Sequence, residues 1–195
     1  MDATIASILA LDGLTNGAIY ALLALATVLV FAVTRVIFIP QGEFVAYGAL
    51  TLVAVQAGQL PGTVWLLLVA GTLVTLIETG STLRTRHWRR LGGVALWNLA
   101  YPLALWALLR AMPAATWPMP LQILAALAIV VPLGPMIYRL AYQPLAEAPV
   151  LILLIVSVAV HVVMLGLGLL MFGAEGSRTP PFTERSRSAS SRMML

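Results

Sequence analysis

Residues 13–44 decide the fold, and they read GLTNGAIYALLALATVLVFAVTRVIFIPQGEF. An uncharged apolar segment runs from Gly13 to Thr34. About 20 residues of helix rise roughly 30 Å, which is the thickness of the hydrocarbon core of a bilayer. No polar stripe recurs across the middle of the segment, as it would in an amphipathic helix of a soluble protein. The segment therefore predicts a transmembrane helix.

The first turns of this helix carry small and polar residues. Gly13, Gly17 and Ala21 recur at intervals of four, and a face of small residues lets helices approach closely in lipid. This pattern predicts a helix-packing surface. Asn16 and Tyr20 lie one turn apart beside it, so we expect them on a polar path near the outer membrane surface. Tyr20 suits the aromatic belt of a membrane protein equally well.

A second apolar segment begins after a break at Pro40 and Gly42. Glu43 falls in the first turn of the expected second helix, where the helix dipole favours a carboxylate. Ionisable groups at membrane depth are costly and usually face a cavity or a partner. Gln41, Gly42 and Glu43 are therefore further candidates for the path. The alternative is that Glu43 is a solvated carboxylate at the membrane surface, paired with Arg35.

The composition is that of an integral membrane protein. Charged residues make up 9% of the 195 residues, and the mean hydropathy is +0.99, whereas soluble domains average roughly 25% charged residues. The net charge of +4 comes from arginines in loops and in the tail, without the basic, aromatic-studded face of a nucleic-acid-binding protein. The absence of cysteine excludes disulfides and thiolate metal sites. We expect no nucleic-acid partner, metal or cofactor.

The chain divides into six apolar segments, which predicts an all-α, polytopic membrane protein with about six transmembrane helices. The segments are 13–34, 40–57, 63–77, 91–109, 121–138 and 150–172. The connector 79–90 is rich in arginine, and arginine-rich short loops stay in the cytoplasm. Counting outward from this connector places residues 35–43 and the loop 139–149 inside. The N-terminus is then predicted to lie outside.

The sixth segment holds the residue pair that most resembles a catalytic one. Ser157 and His161 are four residues apart and therefore share one helix face. Serine catalysis also needs an oxyanion hole and an orienting group, yet the chain has no Gly-x-Ser-x-Gly motif and no acid in this segment. A helix–helix hydrogen bond is the favoured interpretation. We expect no catalytic residue and no enzymatic activity.

Two ordered motifs stand far apart in the chain. The first comprises Asn16-Gly17, YALLAL at 20–25, RVI at 35–37 and Gly42-Glu43, and the second is RLAYQPL at 139–145, before a helix that ends in Met171-Phe172-Gly173. Together they resemble the membrane permeases of bacterial branched-chain amino acid ABC transporters. That family usually has Asn-Phe-Ala-His where this chain has Phe38-Ile39-Pro40-Gln41. The family also continues for further helices beyond the length of this chain.

The resemblance implies a permease subunit in the bacterial inner membrane that forms a path for branched-chain amino acids with a second permease subunit. Its other partners would be ATP-binding cassette ATPases, a periplasmic binding protein and membrane lipid. The loop with Arg139, Tyr142 and Pro144 is a candidate ATPase-facing loop. The chain has no phosphate-binding motif of its own. The alternatives are a membrane scaffold without transport activity and an importer of amides or urea.

The resemblance also predicts the domain organisation. Residues 1–182 form a transmembrane permease domain, equivalent to the N-terminal part of the family fold. Residues 183–195 read as a disordered or frameshifted tail, because apolar periodicity ends near Glu184, and we expect the chain to be truncated there. The insertion 78–119 departs from the family pattern, so no role is carried over to it.

Overall fold

The structure is a computed structural model that describes residues 3–85, 96–112 and 114–174. Within these ranges every regular element is helical, which confirms the all-α fold class. The helices are α1 (Ala3–Thr34), α2 (Gln41–Gln56), α3 (Gly62–Thr85), α4 (Tyr101–Ala111), α5 (Met119–Val130), α6 (Leu133–Ile137) and α7 (Val150–Phe172). Short π-helical turns (Leu96–Ala100, Tyr138–Tyr142) and 3-10 turns (Ala114–Thr116, Gln143–Leu145) lie between them.

Four helical segments of the described chain are long and apolar enough to cross a membrane. They are Ala3–Thr34, Gly62–Gly80, Met119–Leu145 and Val150–Phe172. The sequence predicted about six. Helix α2 has 16 residues, and its rise of roughly 24 Å is shorter than the bilayer core. The predicted span 91–109 is described only from residue 96 onward.

The ends of several predicted segments differ from the observed helices. Helix α1 begins at Ala3 rather than Gly13, so Asp12 lies inside the helix. Helix α3 continues to Thr85, so the first part of the expected polar connector is helical. The fifth segment is interrupted before Pro132, because proline lacks the amide hydrogen that a continuous helix requires. The arginine side chains of 84–90 and the tail 183–195 lie outside the described residues.

The core lies between α2, α3, α5, α6 and α7. Its buried side chains are Tyr47, Leu67, Ala70, Val74, Val130, Leu133, Met136 and Met164. Helix α1 buries no residue, so its apolar surface is left for lipid or for another helix. Lipid tails are as apolar as leucine, and burial alone therefore does not hold helices together in a membrane. Close packing and polar contacts have to do so.

Glycines allow the closest approaches between elements of this core. A Cβ atom at Gly71 would collide with the carbonyl oxygen of Asn98, so the turn Leu96–Ala100 packs directly on the backbone of α3. By contrast, a Cβ atom at Gly13 or Gly17 would meet nothing within 4 Å. The predicted packing face of α1 therefore has no neighbour among the described residues.

Contacts between helix ends show that α3 and the α5–α6 segment run in one direction and α2 in the other. Glu78 Oε1 and Arg139 Nη1 are 3.0 Å apart, so the later part of α3 lies beside the turn that follows α6. At the other end of the fold, Gln56 Nε2 lies 3.2 Å from Met119 Sδ, which brings the end of α2 to the start of α5. Alternation of this kind is what repeated crossing of a membrane requires.

The close approach at Gly71 can be tested by adding a single methyl group. Overpacking costs about 1–3 kcal/mol, so we expect Gly71→Ala to lower the thermal midpoint of the detergent-solubilised protein by several degrees. Gly80→Ala is the matched control, because Gly80 lies on the same helix with nothing within 4 Å of an added Cβ atom. Equal midpoints for the two variants would contradict the contact with Asn98.

Candidate functional site

The hydroxyl group of Ser157 joins the two motifs. Ser157 lies on α7 and is 0% exposed. Its Oγ atom accepts a hydrogen bond from the backbone N–H of Ile39 at 2.9 Å and another from the Tyr142 hydroxyl at 3.1 Å. The rings of Phe38 and Tyr142 pack beside it, with centroids 5.8 Å apart. Residues 35–43 and 139–145 therefore meet at one end of the fold, which we call the motif end.

Three contacts at successive turns connect the segment that leads into α2 with helix α7. The pairs are Ile39 with Ser157, Glu43 with His161, and Tyr47 with Met164. In the last pair the tyrosine hydroxyl donates to a backbone carbonyl. The residue numbers rise together on both sides, so α2 and α7 run parallel and both begin at the motif end. Each element contributes a residue every three or four positions, which is the spacing of one helix face.

Glu43 and His161 form the most polar of these contacts. Oε1 of Glu43 and Nδ1 of His161 are 2.9 Å apart, and the pair becomes ionic when the imidazole is protonated. The two atoms are not aligned as a hydrogen bond. Glu43 Oε2 is buried and has no hydrogen-bond partner among the described residues. This oxygen can accept a hydrogen bond from the imidazole after a small rotation, or from a bound solute.

Gln41 and Gly42 precede this pair and have different surroundings. The Gln41 side chain binds α1, where its Oε1 accepts the Thr27 hydroxyl at 2.6 Å and its Nε2 donates to the Leu23 carbonyl at 2.8 Å. Gln41 thus connects α1 to the start of α2. Gly42 is exposed, and a Cβ atom there would meet nothing within 4 Å.

Asn16 and Tyr20 lie apart from the other predicted path residues. Both are exposed on α1, and Tyr20 is 72% exposed. Eleven residues of helix separate Asn16 from Thr27, a rise of roughly 16 Å. The structure therefore brings Glu43 to His161 and Gln41 to α1, but it does not bring Asn16 or Tyr20 to either. Their role in a path stays a prediction.

The predicted ATPase-facing loop is partly turned inward. Tyr142 is buried, 1% exposed, with its hydroxyl on Ser157. Arg139 is half-exposed and paired with Glu78, and Pro144 is exposed. Only Arg139 and Pro144 of the three predicted residues thus offer a surface to another protein. Docking of an ATPase at this loop stays a prediction.

The sequence singled out Glu43, Ser157 and His161 but did not indicate that Glu43 contacts His161. The signal for this contact is an equal spacing of residues in two segments. Ile39 and Glu43 are four apart, as are Ser157 and His161, so two polar contacts in register were available from the sequence. Arg35 was the partner in the alternative interpretation of Glu43, whereas the structure places His161 beside this carboxylate.

The helices of the described residues indicate the class of protein. The described residues are all-helical, with four helices long and apolar enough to span a bilayer, which is compatible with a multi-pass membrane protein. No group of three His, Asp or Glu side chains within the described ranges could hold a metal ion. No family model, curated protein or solved structure matches the chain.

The junction at Ser157 can be tested by removing its hydroxyl group. Ser157→Ala leaves the buried Tyr142 hydroxyl without its acceptor, and it leaves the Ile39 N–H with only the Ile37 carbonyl, 3.0 Å away. A buried donor left unpaired costs about 1–3 kcal/mol. We expect a lower thermal midpoint and faster protease cleavage within 35–43. Ser7→Ala is the control, because the Ser7 hydroxyl makes an exposed bond within α1. Identical cleavage of both variants would refute the junction.

Proposed function

We propose that this chain is a permease subunit of a bacterial ABC importer for branched-chain amino acids. The observation that carries the proposal is the junction at Ser157, where the segments 35–43 and 139–145 share one hydroxyl group. These two segments are the ones that resemble the permease family. Two segments that contain the resembling motifs thus pack as one unit, and this packing supports the proposal.

Glu43 and His161 support an amino acid as the substrate. The Oε2 atom of Glu43, which has no hydrogen-bond partner among the described residues, can accept a hydrogen bond from the ammonium group of an amino acid. The surrounding helices are apolar, as the side chains of leucine, isoleucine and valine require. In the resembled family a histidine stands at the position of Gln41. In this chain a histidine contacts Glu43 from α7 instead.

The proposed mechanism involves no covalent chemistry in this subunit. The Ser157 hydroxyl is buried and accepts two hydrogen bonds, and the Nδ1 atom of His161 faces Glu43, so the two residues are not arranged as a nucleophile and its base. Transport would proceed by alternating access, with the ATPases closing and opening the path. The second permease subunit would pack on Gly13, Gly17 and Ala21 of α1, a face that the rest of the described chain leaves uncovered.

The proposal includes a bacterial inner-membrane location with the motif end in the cytoplasm and the N-terminus outside. Helix α2 and the segment that contains α4 would be the two shorter crossings of six. The alternation of helix directions supports this map, because it puts 35–43, Glu78 and 139–149 on one side. The arginines of the connector 79–90 give that side its cytoplasmic assignment.

The orientation can be tested with single cysteines, because the chain has none of its own. We expect Gln59→Cys to react with a membrane-impermeant thiol reagent in intact spheroplasts, since Gln59 is exposed at the end opposite the motif end. Glu147→Cys should react only after the membrane is permeabilised. The reverse pattern would place the motif end outside, and reaction of both cysteines from one side would exclude the six-span map.

Transport can be tested by expressing the chain with the second permease, the ATPases and the binding protein encoded by neighbouring genes. We expect ATP-dependent uptake of labelled leucine, and Glu43→Gln should lower its initial rate about tenfold, the effect of roughly 1.4 kcal/mol in a barrier. Glu147→Gln is the matched control, because Glu147 is exposed. If acetamide or urea were taken up and leucine were not, the substrate class would be amides or urea instead of branched-chain amino acids. Neighbouring genes without ATPases would instead favour a scaffold.

A further inference from the structure

A wholly apolar groove runs along the outside of the helical core. It lies between α3 and α7, with α6 and the turn Tyr138–Tyr142 at its floor, and has a volume of about 610 Å³. Trp65 and Leu73 mark its length on α3, and Val156 and Met171 mark its length on α7. The groove exposes no polar surface. Its volume is in the range of roughly 300–1,000 Å³ that small-molecule sites occupy.

The groove leads to an ion pair at the motif end. A second cavity of about 210 Å³ follows it along α3, lined by Glu78, Arg139 and Gln143, and Leu140 lines both cavities. Arg139 and Glu78 are 3.0 Å apart, with side chains 42% and 28% exposed. Among the described residues, the apolar groove therefore ends at a site that holds one guanidinium group and one carboxylate.

We propose that this composite site binds a phospholipid with a zwitterionic headgroup that bears a primary ammonium. One acyl chain occupies the groove, the phosphate binds Arg139, and the ammonium binds Glu78. Arginine forms charge-assisted hydrogen bonds with phosphate, and a carboxylate accepts several N–H donors. A purely anionic headgroup would set a negative charge against Glu78. A choline headgroup has no N–H to donate.

The composite site is long enough for an acyl chain from one leaflet. Thirteen residues of helix separate Glu78 from Trp65, a rise of roughly 20 Å, against roughly 15 Å for half of the hydrocarbon core. A headgroup at the ion pair thus lets its acyl chain extend along the groove toward Trp65. The site rests on the membrane placement of the proposed function and does not depend on any transported substrate.

The lining favours a lipid tail over a helix from another protein. Helices that associate in lipid use small residues and polar contacts. Most of the groove wall consists of larger apolar side chains such as Leu66, Val69 and Leu167, and no polar atom is presented to an incoming helix. A flexible acyl chain needs neither small residues nor hydrogen bonds to fill such a surface.

Lipid retention by the purified full-length protein tests the site. The protein is extracted in mild detergent, incubated with an equimolar mixture of phosphatidylethanolamine, phosphatidylglycerol and phosphatidylcholine, and examined by native mass spectrometry. We expect one phosphatidylethanolamine to be retained in preference to the other two lipids. Arg139→Gln should reduce its retention about tenfold, which corresponds to roughly 1.4 kcal/mol, whereas Arg110→Gln at the opposite end should not.

Two neighbouring valines supply a matched pair for the groove itself. Val163 lines the groove and is 59% exposed, whereas Val162 is 58% exposed and does not line it. Val163→Phe should release the lipid and Val162→Phe should retain it, with equal thermal midpoints confirming that both variants fold. If the three lipids were retained equally, or if Val163→Phe and Val162→Phe retained the same amount of lipid, the lipid would be bound non-specifically at the surface. Either result would overturn the site. A protein cross-linked to Val163→Cys in membranes would also overturn it, because a helix would then fill the groove.

Discussion

A backbone N–H group that is shielded from water must find its acceptor within the protein. Residues 35–38 and the turn at 39–40 are not helical, so this segment has no hydrogen-bond ladder of its own. The Ile39 N–H shares its hydrogen between the Ile37 carbonyl and Ser157 Oγ, and the same serine oxygen accepts the hydroxyl of Tyr142. A single serine thus fixes the loop before α2 against α7, and the turn after α6 against both.

Once this junction is formed, the register between α2 and α7 follows from helical spacing. One turn beyond Ile39 and Ser157 lie Glu43 and His161, and the next contact is made by Tyr47. Apolar burial does not specify such a register in lipid, because leucine faces lipid tails and protein equally well. The polar contacts select one alignment of the two helices. The carboxylate therefore stands beside an imidazole because of where Ser157 lies.

The sequence was sufficient for the fold class, whereas it named candidate site residues without showing which of them come together. Long uncharged runs predict helices in lipid whatever the tertiary structure, so the middle of α1 and the break at 57–61 were found. The ends at Ala3 and Thr85 were missed, since a helix can continue into polar sequence without an apolar signal. Spacing within one helix places residues on a face but does not identify the opposing helix. For that reason the sequence offered Arg35 as one possible partner of Glu43 and did not identify His161.

Helix α1 presents a polar side chain on a surface that the described chain does not cover. Asn16 lies beside the strip formed by Gly13, Gly17 and Ala21, and its amide gains no stabilisation from hydrocarbon. A second helix can approach that strip closely enough to bind the amide, which a lipid tail cannot do. The small residues and the amide thus favour the same kind of neighbour, another helix, which under the proposed function belongs to the second permease subunit. A path that includes both Asn16 and Glu43 would then run between two proteins, as in a permease pair.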